Sequence, residues 1–79
     1  MAKVFIGAGR EAGIRPQDLV GAIANETRLE GRQIGAIDIA PRFSLVEVPE
    51  DAVDEVTWAL KRTTIKGRKV TVRRDRDQS

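Results

Sequence analysis

Among its 79 residues the chain has no cysteine and no histidine. Without cysteine, neither disulfides nor thiolate metal sites can reinforce the core. Without histidine, the commonest general base and the commonest metal ligand are both missing. Aromatic residues are scarce, with two phenylalanines and one tryptophan. No apolar run approaches the roughly 18 residues that a membrane span requires, and the N-terminus lacks the basic-then-apolar pattern of a signal peptide. These absences predict a cytoplasmic, non-enzymatic domain with no metal, no cofactor and no membrane partner. An apolar stretch starts almost directly after Met1, which reads as a piece of a longer chain.

Seventy-nine residues suffice for one small domain near the lower limit for a single hydrophobic core. An apolar share of 41% is ordinary for a globular protein. We expect one ordered domain over residues 1–75, a disordered tail over 76–79, and a monomer. The net charge of +2 conceals an asymmetry. Residues 1–60 hold six Lys/Arg against ten Asp/Glu, or −4, while residues 61–79 hold eight against two, or +6. A basic end on a small domain points either to a polyanionic partner or to a solubilising tail.

Residues 3–8 (KVFIGA) read as a strand ended by glycines. Pro16 then sets a helix start, Asp18 complements its free N–H groups, and helical spacing continues to Leu29. Gly21 within this helix costs about 1 kcal/mol against alanine, and close helix–sheet approach is its expected compensation. Residues 34–40 (IGAIDIA) and 43–48 (FSLVEV) read as two strands, joined across Pro41-Arg42 as an antiparallel hairpin. The second helix opens at Pro49-Glu50-Asp51 and carries Val53, Val56 and Leu60 on one apolar stripe. Its acids Glu50, Asp51, Asp54 and Glu55 suit a helix N-terminus better than a cation site. Trp58 falls on the outer side, where its ring either folds over the helix flank or marks a partner contact. Residues 68–74 (RKVTVRR) read as a fourth strand with Val70 and Val72 inward.

The order β-α-β-β-α-β is the split βαβ pattern of an α+β, ferredoxin-like domain. It predicts an antiparallel sheet in the order 4-1-3-2 with both helices on one face, leaving the other face open. The expected core comprises Val4, Ile6, Leu19, Ile23, Ile37, Ile39, Val46, Val48, Val53, Val56, Leu60, Val70 and Val72. Strand alternation then turns Phe5, Phe43, Leu45, Glu47, Lys69, Thr71 and Arg73 toward the open face. Both phenylalanines therefore fall where no helix covers them, and an aromatic ring offers a nucleobase a stacking surface. Lys69 and Arg73 flank them, and Lys3, Arg10, Arg15, Arg42, Lys66, Arg68 and Arg74 complete an expected basic rim, with the acidic second helix turned away. The glycines of residues 7–13 (GAGREAG) follow a strand and precede a helix, but they lack both G-x-G-x-x-G spacing and a P-loop lysine, which argues against a nucleotide site.

This layout resembles an RNA recognition motif. Val4-Phe5-Ile6 resembles its shorter signature strand. Residues 42–48 (RFSLVEV) resemble the longer signature, K/R-G-F/Y-G/A-F-V-x-F/Y. Phe43 keeps one aromatic, Leu45 occupies the second stacking position, Arg42 replaces the glycine and Pro41 the initial cation. A closer resemblance runs through residues 9–23 (GREAGIRPQDLVGAI), 34–39 (IGAIDI), 43–49 (FSLVEVP) and 65–70 (IKGRKV). In order and spacing these segments are similar to the DbpA-type RNA-binding domain at the C-terminus of bacterial DEAD-box RNA helicases. The stretch 43–49 and the acidic second helix look more like the cold-shock DeaD/CsdA type. The resemblance implies an RRM-like fold, a helicase core elsewhere in a parent RNA-dependent ATPase, and structured or ribosomal RNA as partner. Members of the DbpA type proper recognise a ribosomal RNA hairpin, and that specificity is not carried over here.

The competing function is a protein-interaction module in ribonucleoprotein assembly, using the open sheet or Trp58. A small ferredoxin-like enzyme such as an acyl-phosphate hydrolase would need a nucleophile–base pair, for which the chain offers no His, no Cys and no cluster. A small-molecule regulatory domain shares the topology and nothing more specific.

Overall fold

A computed structural model describes residues 1–75; the tail expected over 76–79 lies outside the described residues. Strand β1 (Ala2–Ile6) leads through a short 3₁₀ turn (Arg10–Ala12) to helix α1 (Pro16–Glu26). A second 3₁₀ turn (Gly31–Gln33) precedes β2 (Ile37–Ile39) and β3 (Ser44–Val48). A third (Glu50–Ala52) opens helix α2 (Val53–Lys61), and β4 (Val72–Asp75) closes the sheet. The strands lie in the order β2-β3-β1-β4, every neighbour antiparallel. This is the expected 4-1-3-2 arrangement.

The register follows the alternation in the sequence. Val4 pairs with Val46 and Ala2 with Val48, and both strands alternate between buried and half-buried residues. Val4, Ile6, Val46 and Val48 are fully buried with Leu19, Ile23, Val53, Val56 and Leu60 from the helices. Ile37, Ile39 and Val70 pack against this cluster while only partly buried. Ile14 and Ile65, one before α1 and one after α2, also belong to the core, although neither lies in an element the sequence pattern picks out.

Several boundaries differ from expectation. Helix α1 stops at Glu26 and not Leu29, because Thr27 turns extended and its hydroxyl donates to Ile23 O at 2.7 Å while accepting the Leu29 N–H at 3.1 Å. At its other end the Asp18 carboxylate accepts the Arg15 N–H at 2.9 Å, as a first-turn acid should. Regular pairing of β2 covers three residues, because Gly35 and Ala36 both bond to Glu47 (Gly35 N to Glu47 O, 2.8 Å; Glu47 N to Ala36 O, 2.9 Å) in the two-against-one pattern of a bulge. The first turn of the second helix is 3₁₀, so α2 proper begins at Val53.

The fourth strand starts at Val72 and not at Arg68. Ile65 and Arg68 close a two-residue hairpin whose centre, Lys66 and Gly67, has positive φ at both positions (55° and 74°). Residues 69–71 then run past the end of β1, where a single bond from Gly7 N to Thr71 O (2.7 Å) precedes the regular ladder. The role expected of Gly21 is also corrected. A Cβ there would meet nothing within 4 Å, so α1 does not approach the sheet through it. Close approach is required instead at Gly9, where a Cβ would lie 2.0 Å from Ala40 O and 2.7 Å from Phe43 N.

Candidate nucleic-acid interface

Paired residues on neighbouring strands share a face, so the register fixes the rows of the open side. The middle row runs Asp38, Leu45, Phe5, Arg73 across all four strands. Phe43, one residue before β3, sits diagonally from Phe5. The two rings stack with centroids 5.6 Å apart and planes inclined by 18°. From the β4 side the Arg73 guanidinium lies over the Phe5 ring, 4.3 Å from its centroid. Phe5 is therefore flanked by Phe43 and Arg73. Phe43 keeps 39% of its surface exposed, and Leu45 is half-buried beside the pair. A stacked aromatic row edged by a guanidinium plane presents the two surface types on which unpaired bases stack.

Charge divides this face. The row toward the start of β1 is Glu47, Lys3, Asp75, so Lys3 has an acidic residue in register on each neighbouring strand. Beyond Phe43 the sheet ends in a groove of about 610 Å³. Gly7, Ala8 and Gly9 line it together with the cations Arg42, Arg68 and Lys69 and the acid Glu11. The loop is tied down from several sides. Arg10 N donates to Ala40 O at 2.8 Å and Glu11 N to Pro41 O at 2.9 Å, so the 3₁₀ turn is anchored on the β2–β3 hairpin. Below it the buried Ser44 hydroxyl donates to Ala8 O at 2.7 Å. The glycine-rich stretch thus lines a groove and packs against a hairpin.

The remaining expected cations do not form one continuous rim. Arg74 pairs in register with the buried Val4, hence on the helix-covered side, and its guanidinium meets Glu50 at 3.3 Å. The acidic start of the second helix therefore reaches β4 and does not simply turn away. Lys66 lies 3.6 Å from Asp18 at the start of α1, where Arg15 also sits. Arg10 extends toward β2, with Ile39 O 3.5 Å from its guanidinium. Arg42 keeps a loose, solvent-exposed pairing with Glu11 at 3.8 Å. Such exposed pairs are worth about 0–1 kcal/mol and leave the cations available to a ligand. What the structure gathers is Phe5, Phe43 and Arg73 on the sheet, with Arg42, Arg68 and Lys69 at its end.

Glu11, Ser44 and the packing role of Gly9 were not anticipated. Ser44 carried a usable signal, as a hydroxyl at an inward position of an alternating strand; Glu11 carried none. On the opposite side the Trp58 ring lies along α2 toward Arg62. Its centroid is 4.5 Å from the Arg62 guanidinium and the residue stays 63% exposed, so it both follows the helix flank and presents surface to solvent. Among the described residues no group of three or more acids lies close enough to hold a metal ion, and no helix is long and apolar enough to cross a membrane.

Comparison with known proteins turns this geometry into an assignment. The model of the DbpA RNA-binding domain matches residues 3–74. The chain belongs to the DbpA RNA-binding domain family. It is 35% identical over 72 residues to the ATP-dependent RNA helicase DeaD of Buchnera aphidicola (subsp. Schizaphis graminum), covering 91% of this chain and 12% of that one. Against DeaD of Escherichia coli K12 it is 38% identical over 60 residues, 76% of this chain and 10% of the relative. Against DbpA of the same strain it is 33% identical over 73 residues, 92% and 16% respectively. The DeaD type expected from the sequence is the one these relatives support. The chain spans between 10% and 16% of their lengths, so it corresponds to an RNA-binding domain within ATP-dependent helicases whose catalytic core lies elsewhere. The fold is that of an RNA recognition motif: the Nab3 RRM, from a structure on cis-element recognition of non-polyadenylated RNAs, superposes with a TM-score of 0.76 over 96% of each chain at 16% identity.

Proposed function

We propose that this domain delivers RNA to a DEAD-box helicase core in the same cytoplasmic protein, gripping single-stranded parts of structured or ribosomal RNA on the helix-free sheet face. The observation that carries this reading is the stacked row Arg73–Phe5–Phe43 on the helix-free face, with Arg42, next to Phe43 in the chain, lining a groove together with Arg68 and Lys69. Phe43 supplies the accessible ring. Arg73 extends the stacking surface and neutralises a phosphate. Arg42, Arg68 and Lys69 hold the backbone where it leaves the sheet, and Leu45 supports the rings. Lys66 and Arg74 face carboxylates of this chain and Lys3 has acidic register neighbours on both sides, so these three contribute at most to the long-range field.

Backbone contacts of this kind position RNA without reading its sequence. They make affinity fall steeply with salt, because each neutralised phosphate releases counterions. The test is a titration of single-stranded and of structured RNA at about 50 and 200 mM salt, with wild type and an Arg68→Ala/Lys69→Ala variant. A shallower salt dependence in the variant supports the reading; identical slopes defeat it. The exposed Trp58–Arg62 pair supports a second reading, in which α2 docks a protein partner such as the helicase core. RNA-induced NMR shifts confined to Trp58 and Asp54 would favour that reading over the sheet face.

A further inference from the structure

Helix α2 buries Val53, Val56, Ala59 and Leu60 and turns its other side to solvent. Trp58 lies at the centre of that outer side, with its ring held along the helix by Arg62. Asp54 and Glu55 stand one turn before it, Lys61 and Arg62 one turn after, and all five are exposed. Helical geometry sets Glu55 and Arg62 on one flank of Trp58, about 60° and 40° from its direction, and Asp54 and Lys61 on the other, about 40° and 60° away. None of these four charged groups forms an ion pair with another described residue. The helix dipole accounts for acids at the start and cations at the end. It does not account for a tryptophan, 63% exposed, between them.

We propose that the outer face of α2 binds a second copy of this chain in a symmetric, antiparallel helix pair centred on Trp58. The charge changes sign across Trp58, so the face is complementary to itself when inverted. A two-fold axis at Trp58 brings together residues on the same flank and at equal heights on either side of it, the isologous arrangement of a symmetric dimer. Glu55 of each copy then meets Arg62 of the other, Asp54 meets Lys61, and the two tryptophan rings meet at the centre. A parallel pair would set acids against acids and cations against cations, which like-charge repulsion forbids. The proposal commits the α2 docking surface to another copy and not to the helicase core, and it leaves the sheet face free. One nine-residue helix from each side buries less than the roughly 1,200–2,000 Å² of stable complexes, so the pairing is weak and a monomer prevails in dilute solution. Its consequence is cooperative loading: copies gripping one RNA meet at an effective concentration of about millimolar, where a weak contact holds. That consequence, though not the pairing itself, rests on the sheet-face reading.

The experiment is sedimentation equilibrium of the 79-residue chain from about 10 μM to 1 mM at low salt, with circular dichroism to establish that each variant folds. The wild-type average mass is expected to rise from that of one chain toward that of two. Trp58→Ala should weaken the association at least about tenfold while leaving RNA affinity as it was. Glu55→Arg alone and Arg62→Glu alone each place like charges on one flank of the interface in both copies, and each should stay monomeric. Mixed in equal amounts, the two variants should associate one to one, because opposite charges face each other again on that flank. A wild type that stays monomeric at about 1 mM overturns the proposal, as does an association that Trp58→Ala leaves unchanged. Folded charge-swap variants that remain monomeric when mixed overturn it too. A wild type that pairs but binds no RNA sinks the sheet-face reading and the cooperative loading, and leaves the helix pair standing.

Discussion

In a Phe43→Ala variant one ring leaves the sheet face while every charge stays in place. The structure sets the size of the two consequences. Phe43 is 39% exposed, with its ring stacked on Phe5 at 5.6 Å. The fold thus loses partial burial and one aromatic contact of about 0.5–1.5 kcal/mol, against the roughly 5–15 kcal/mol that hold a domain together. The variant should fold, with a modestly lower melting temperature. RNA binding should lose one base stack, about 1–3 kcal/mol, which weakens affinity about 5- to 150-fold. Because no phosphate contact is removed, the plot of log affinity against log salt should shift without changing slope. Arg68→Ala should instead lower the slope by about 0.7 for a single-stranded ligand. Anisotropy titrations at several salt concentrations, with circular dichroism to establish folding, separate the two effects. A folded Phe43→Ala protein with wild-type RNA affinity would refute the sheet-face platform.

The other expectations are as follows. Gly21→Ala should raise stability by about 1 kcal/mol, visible as a melting temperature higher by about 4–8 °C, since a Cβ at this helical position meets nothing within 4 Å; a destabilised variant would mean that α1 packs more closely than described. Gly9→Ala should cost about 3 kcal/mol or more, because a Cβ 2.0 Å from Ala40 O cannot be accommodated by a side-chain shift; a thermal melt close to wild type would contradict the packing of that loop on the hairpin. Lys3→Ala, between Glu47 and Asp75, should leave both RNA affinity and salt slope where they were, and a slope as reduced as that of Arg68→Ala would show that the acidic half of the sheet also takes phosphate. Ser44→Ala should destabilise by about 1–3 kcal/mol, measured by denaturant melts, because the Ala8 carbonyl loses a buried partner.

The central sheet was legible because its information is local. In β1 and β3 the alternation of apolar and other residues has the period of the strand itself, and a slip of one residue would turn every valine outward. The pairing of Phe5 and Phe43 followed from the same parity. The ends of elements were less legible, because they depend on what lies across the chain. Residues 68–74 alternate without interruption, yet pairing with β1 begins at Val72, since β1 ends at Ile6 and offers no regular partner to residues 69–71. Helix α1 ends where the Thr27 hydroxyl competes for Ile23 O, a choice that helical periodicity does not encode. The two glycines in question, Gly9 and Gly21, look alike as letters. One packs against backbone and the other faces open space, and only the tertiary structure tells them apart.

The same parity that built the core governs how the basic end of the chain is used. A run of cations reads as one positive patch, but a strand sends consecutive residues to opposite faces. Arg73 therefore reaches Phe5 on the open side, while its neighbour Arg74 reaches Glu50 on the helix side. The hairpin at Lys66-Gly67 divides the run again, leaving Lys66 beside Asp18 while Arg68 and Lys69 enter the groove. Among the described residues of this basic end, those on or beside the open face are thus Arg68, Lys69 and Arg73, joined there by Arg42 from the β2–β3 hairpin. Against the acids Asp38, Glu47 and Asp75 on the same face, this grouping gives the sheet a basic end and an acidic end. RNA bound as proposed above would meet attraction at the Arg42, Arg68 and Lys69 end and repulsion at Glu47 and Asp75. On the function proposed above, that polarity favours a footprint at the groove end of the sheet, and Lys3→Ala set against Arg68→Ala tests it.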